Sequence, residues 1–147
     1  MQRKPVQDAM KARFLMGVLL VTCLFAAVAN AQSYEGRFTL PYTVNWGNVV
    51  LPAGEYTITM NSLKAPALVR SASGKTKLFT VTPTMADVEK GSASLFITVI
   101  GNQRRVRSMN LPEFGSSLIY GPLTRTERQM LAEAGHVRAV PVITAEK

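Results

Sequence analysis

"LPAGEYTI", residues 51–58, is the stretch whose reading decides the fold. Pro52 presets φ for the second position of a turn, and Gly54 can take the positive φ that Ala53 would resist. Leu51-Pro52-Ala53-Gly54 therefore predicts a type I turn closed by a glycine bulge, the link of a three-residue hairpin. Beyond it Tyr56, Ile58 and Met60 point one way, and Thr57, Thr59 and Asn61 the other. That is the period of a half-buried strand with a fixed register. A hard turn feeding an alternating strand is a corner of a β architecture, not a reactive site.

The same punctuation recurs outward from this point. Upstream, "RFTL" and "YTVNW" alternate around Pro41, with Phe38 and Leu40 on one face and Val44 and Trp46 paired on the next segment. Gly47-Asn48 is a glycine-first two-residue turn of type II′, and "VVL" is a very short strand after it. Downstream, "ALVRSA" and "KLFTVT" flank the turn Ser73-Gly74-Lys75, and "PTMADVEKGSA" reads as a polar connection. "SLFITVI" is apolar on both faces, as a central strand should be. Gly101-Asn102 turns the chain into "QRRVRSMNL", Pro112 stops it, and "SSLIY" is the last strand expected before Gly121-Pro122.

One helix interrupts the pattern. Thr124 followed three residues later by Glu127 is a capping box, and Gly135 is the expected terminator in the left-handed conformation. "RTERQMLAEA" between them holds good helix formers, with Met130, Leu131 and Ala134 on one side. The expected fold class is mainly β, an antiparallel sandwich or barrel-like domain with one short C-terminal α-helix.

The ends and the charge bound the setting. Arg3, Lys4, Lys11 and Arg13 precede the apolar run "FLMGVLLVTCLFAAVA", and "ANA" precedes Gln32. That order predicts a secretory signal peptide over residues 1–31, with Met1 or Met10 as the start. The expected organisation is a single β-rich domain over 32–135, including the helix at 124–135. Residues 136–147 then form a tail or an edge strand, and Pro141 favours the edge. After removal of 1–31 the chain keeps 13 basic and 8 acidic residues, a net charge of +5, and no cysteine. Disulfides and thiolate chemistry are excluded from that part, which must be held by its core.

"FTLPYTVNWGNVVLPAGEYTI" resembles a group of uncharacterised small secreted proteins of soil bacteria. They share a Phe-x-x-Pro-aromatic-x-Val-x-x-Gly-x-x-x-Leu-Pro-Ala-Gly-x-Tyr-x-Ile pattern after a signal peptide. Phe38, Pro41, Tyr42, Val44, Gly47, Leu51, Pro52, Ala53, Gly54, Tyr56 and Ile58 carry the likeness. The resemblance implies a β-rich exported domain and brings no catalytic residue or ligand with it.

The search for chemistry excludes more than it finds. His136 is the sole histidine and Asp87 the sole aspartate after residue 31. No serine sits in a nucleophile elbow, and no phosphate-cradling or dinucleotide fingerprint occurs. One histidine without cysteine offers no zinc spacing, so no metal and no cofactor are expected. Asp87 and Glu89 read as a solvated loop and His136 as a favourable charge at a helix end.

The binding candidates are Arg105 and Arg107, which share one face of a strand while Arg104 takes the other. Two aligned guanidiniums can fork onto carboxylate, sulfate or phosphate. Trp46, beside Gly47, is the aromatic expected to reach solvent, whereas Tyr42, Tyr56, Phe79 and Phe96 read as core. These features predict a non-catalytic, exported β-domain with a structural or binding role. Its partner would be an anionic polysaccharide or envelope component, and neither nucleic acid nor a membrane span is expected once the signal is cleaved. The alternatives are a weak extracytoplasmic hydrolase using Asp87, Glu89 or His136, and a surface subunit that self-assembles through strand edges.

Overall fold

Residue alternation builds the strands, and four crossings, each with a proline in or beside it, distribute them between two sheets. The computed structural model describes residues 33–145; the signal-peptide reading falls on residues outside this range. The first strands are β1 (Tyr34–Leu40), β2 (Val44–Trp46), β3 (Val49–Leu51), β4 (Gly54–Met60), β5 (Leu68–Ser71) and β6 (Lys77–Phe79). They are followed by β7 (Thr84–Asp87), β8 (Ser94–Ile100), β9 (Gln103–Leu111) and β10 (Ser116–Ile119). The helix α1 (Arg125–Ala134) then leads to β11 (His136–Pro141) and β12 (Ile143–Thr144).

One sheet has the order β12–β1–β4–β5–β6 and the other β11–β8–β9–β10–β7, with the β2–β3 hairpin attached to β9. The two are not closed into a barrel. Phe38, Ile58 and Val69 from the first sheet share one core with Leu95, Ile97, Met109 and Leu118 from the second. Each of these large side chains contributes about 1.5–3 kcal/mol on burial, and together they hold a sandwich without disulfides.

The turn at Pro52 does not make the hairpin that its residues suggest. β3 pairs with β2, and β4 pairs with β1 and β5, so Pro52-Ala53 carries the chain from one sheet to the other. Gly54 has φ 145° where it pairs with Leu40, a positive value that a residue with Cβ rarely adopts. Four residues after the proline, the Tyr56 hydroxyl donates to the Pro52 carbonyl at 2.7 Å. The ring of Tyr56 is buried against Phe38, stacked at 5.7 Å between centroids. The spacing Pro-Ala-Gly-x-Tyr is thus the length that lets a core tyrosine tie its own corner.

Other turns follow their residues. Gly47 has φ 60° and no non-glycine residue among those described has positive φ, which fits the type II′ turn joining Trp46 to Val49. β8 lies between β11 and β9 and is largely buried on both faces. Thr84–Asp87, read from sequence as part of a polar connection, is the exposed edge strand β7, paired with β10. Its register there comes from β10 rather than from any apolar period of its own.

The helix caps as its residues dictate. The Glu127 N–H donates to Thr124 Oγ1 at 3.2 Å, and Thr124 N–H donates to Glu127 Oε2 at 2.8 Å. Gly135 ends it differently from expectation, with φ −102° in extended backbone. Glycine is needed for space: a Cβ there would stand 2.8 Å from Leu131 and 2.9 Å from the Val99 carbonyl. Leu131 is the half-buried contact of a helix in which no residue is fully buried, and Met130 stays 41% exposed.

A buried polar clasp fixes the loop before β8. Asn110, fully buried on β9, accepts from the Glu89 N–H and donates to the Glu89 carbonyl, both at 2.9 Å.

Two stability predictions follow from these contacts, both measurable by urea unfolding. Tyr56→Phe should lose about 1 kcal/mol by removing one net hydrogen bond, and Gly54→Val about 1–3 kcal/mol through its positive φ. Glu55→Gln, one residue along, should stay within about 0.5 kcal/mol. Asn110→Leu should cost on the order of 1–3 kcal/mol and speed hydrogen exchange at Glu89. Unchanged exchange there would mean that the loop is held by something other than the clasp.

Candidate functional site

Arg105 and Arg107 sit on β9, whose alternation is interrupted. β8 runs against β9 in register from Ile100 opposite Gln103 to Ile97 opposite Val106, and then Phe96 faces Ser108. Arg107 is the extra residue of this bulge, and bulges re-aim side chains. Its carbonyl accepts from both Tyr120 N–H at 2.9 Å and Gly121 N–H at 3.1 Å, just past the end of β10. β2 takes up the freed position with Asn45 beside Arg105.

The two arginines therefore have different tasks. Arg107 is half-buried at the bulge, whereas Arg105 reaches the helix, where Nη1 donates to Glu127 Oε1 at 2.8 Å. Glu127 is the same carboxylate that closes the capping box. Its pKa is held below the ordinary value first by the Thr124 backbone and side chain and then by Arg105. Arg105 anchors α1 to the sheet, and an aligned pair of free guanidiniums is not what the strand presents.

Trp46 is 1% exposed, so it does not reach solvent. It packs edge-on against Tyr120 at 5.1 Å and tilted against Phe38 at 6.3 Å. Gly47 turns the chain outward only after the indole has entered the core. Phe79, read from sequence as core, is the aromatic that stands out, at 67% exposure.

The groups weighed for hydrolysis are dispersed. Asp87 lies on β7 and His136 on β11, the opposite edges of one sheet. Four strand spacings separate them, about 19 Å. Among the described residues no cluster of His, Cys, Asp or Glu can hold a metal ion. No helix of these residues is long and apolar enough to cross a membrane.

A cationic cluster does form, from residues far apart in the chain. On β11, β8 and β9 one row is His136–Val99–Arg104, and the next toward the core is Arg138–Ile97–Val106. Cross-strand partners share a face, so Arg104, His136 and Arg138 continue the core face of the sheet past the end of the core. Tyr42, on the crossing between β1 and β2, meets the two arginines. The Arg104 guanidinium sits 4.2 Å from its ring centroid and that of Arg138 5.9 Å. Both arginines are exposed, while the Tyr42 hydroxyl is buried with no hydrogen-bond partner among the described residues. The one ion pair of the described residues is Arg105 with Glu127, so neither arginine at Tyr42 is neutralised.

A guanidinium lying against an aromatic ring is attracted by the ring quadrupole and keeps its N–H edge free for an oxyanion. This arrangement can hold a carboxylate, sulfate or phosphate. Arg104 was legible only as the odd neighbour of Arg105, and nothing near Arg138 in the sequence points to Tyr42. No known protein family, curated protein or solved structure matches the chain.

Proposed function

We propose that this chain is an exported, non-catalytic β-sandwich that binds an anionic group of a glycan or envelope component where Arg104 and Arg138 bracket Tyr42. The observation that carries the reading is the convergence of two guanidiniums on one aromatic ring without an acidic partner. Like charges brought together on a surface cost stability unless a counter-charge arrives, and an incoming oxyanion supplies it. The signal-like residues 1–31, the positive balance of the remainder and the likeness to small secreted proteins support the setting.

Binding is tested on the purified domain by calorimetric titration with galacturonate and with inorganic phosphate. Arg104→Ser with Arg138→Ser should weaken the preferred anion about tenfold, as expected for lost charge-assisted hydrogen bonds. Tyr42→Leu should weaken it less, and Arg105→Ser should leave it unchanged. Added salt should reduce parental binding in the same direction. Equal affinity of parent and double variant would overturn the reading.

Export makes a separate prediction. The intact mass of protein recovered outside the cytoplasm should correspond to a chain starting at Gln32. A product retaining residues 1–31 in the membrane fraction would contradict it.

A further inference from the structure

Strand β7 ends its sheet without protection against pairing. β10 is its single neighbour among the described residues, and all four of its side chains are exposed. Proteins blunt such edges with prolines, basic residues, bulges or very short strands. β12 has two residues, β6 has three and includes Lys77, and β11 holds His136 and Arg138 and ends at Pro141. Thr84-Met85-Ala86-Asp87 has no proline and no basic residue, and it faces Ser116–Ile119 without a break in register. Its one charge, Asp87, stands at its end.

The core face of the same sheet shows what this edge lacks. One row of facing residues crosses all five strands, Val140–Leu95–Met109–Leu118–Met85. Cross-strand partners share a face. The first four are buried, whereas Met85 is 40% exposed. Val81 and Val88, on either side of the strand, are exposed as well. The apolar row runs to the border and stops on a methionine that solvent reaches.

We propose that a second copy of this chain pairs antiparallel with β7, the two-fold axis passing between the two Met85 side chains. An axis normal to the sheet keeps each face on its own side, so only residues that share a face can meet. With the axis at Met85, each methionine extends the other copy's apolar row. Thr84 then faces Ala86, and Asp87 faces Pro83. The two Asp87 carboxylates lie four residues apart along the strands, about 14 Å, which is beyond a Debye length at physiological salt. An axis at Ala86 would instead set each Met85 against an Asp87 carboxylate.

The row calls for a strand with an apolar side chain opposite Met85 and small neutral ones beside it. β7 read in reverse meets that need. β11 brings His136 and Arg138 on its core face, and β6 and β12 are shorter still, so the contact is isologous and closes at two copies. Arg138 lies at the opposite border of the sheet, so the dimer leaves it free and stands apart from anion binding.

The test is sedimentation of the purified protein over a range of concentrations, joined to single-cysteine oxidation. The parent should show a reversible monomer–dimer equilibrium. Met85→Lys should raise its dissociation constant about tenfold or more. Val137→Lys, at a similarly exposed apolar residue on β11, should leave it unchanged. Residues 32–147 contain no cysteine, so Met85→Cys supplies a thiol whose nearest partner is its own copy. Side chains directly opposite on antiparallel strands come within disulfide reach. Mild oxidation should therefore link Met85→Cys into dimers and leave Val88→Cys largely monomeric. This readout holds even where Met85→Lys fails to fold. A parent that stays monomeric up to about 1 mM would overturn the dimer. So would assembly beyond two copies, equal association of parent and a folded Met85→Lys, or crosslinking through Val88→Cys in preference to Met85→Cys.

Discussion

The hydrogen bond from Tyr56 to the Pro52 carbonyl sits where the chain leaves one sheet for the other, and much of the architecture hangs from it. It lets a tyrosine ring be buried against Phe38 without stranding its hydroxyl. Beside it β4 enters the first sheet next to β1, with Leu40 opposite Gly54 and Phe38 opposite Tyr56. Because register has a period of two, the pairing of β4 with β1 puts Ile58 and Met60 in the core and faces Glu55, Thr57 and Thr59 outward. β5 and β6 inherit their registers from β4, so the outward pair Arg70 and Lys77 is fixed by the same corner.

The charge distribution follows from that scaffold. A sandwich of short strands has little room for acids and bases to neutralise one another across the sheets, and here the described residues make a single ion pair, spent on anchoring the helix. Four of the remaining basic side chains occupy two kinds of ground. Arg104 and Arg138 lie past the end of the core beside Tyr42, and Arg70 and Lys77 face each other on an open sheet. Both placements leave a guanidinium or ammonium group without an acidic partner among the described residues.

The alternation of apolar residues made most of the sandwich legible in the sequence: Phe38 and Leu40, and Tyr56, Ile58 and Met60, are buried in the phase their alternation dictates, whereas Trp46, expected to reach solvent, is buried with Val44. Local capping and turn chemistry at Thr124, Gly47 and Gly101 was equally plain. The failures share a cause, since each depends on pairing between distant segments. The Pro52 turn has the residues of a hairpin, and only the choice of partner strands makes it a crossing. The bulge at Arg107 is invisible without β8, and the pairing of Arg105 with Glu127 is invisible until the helix lies against the sheet. Edge strand β7 has no apolar period because every one of its residues is exposed. Arg104, Tyr42 and Arg138 belong to three segments that meet only once both sheets exist. Gly135 was read correctly as the end of a helix, for the wrong reason: space rather than handedness requires it.

The pairing of β12 with β1 joins the last described strand to the first. During synthesis, β1 emerges more than a hundred residues before its outer neighbour, and β8 waits about forty residues for β11 to complete the second sheet. Contacts of such long sequence separation form slowly, because loop entropy must be overcome before they contribute. Until the final segment is released, the backbone edges of β1 and β8 stand open to other nascent chains. A stop codon directly after the helix would therefore do more harm than the few residues it removes suggest. It would leave a folded core with two unguarded borders, a species prone to aggregate rather than a slightly shorter protein.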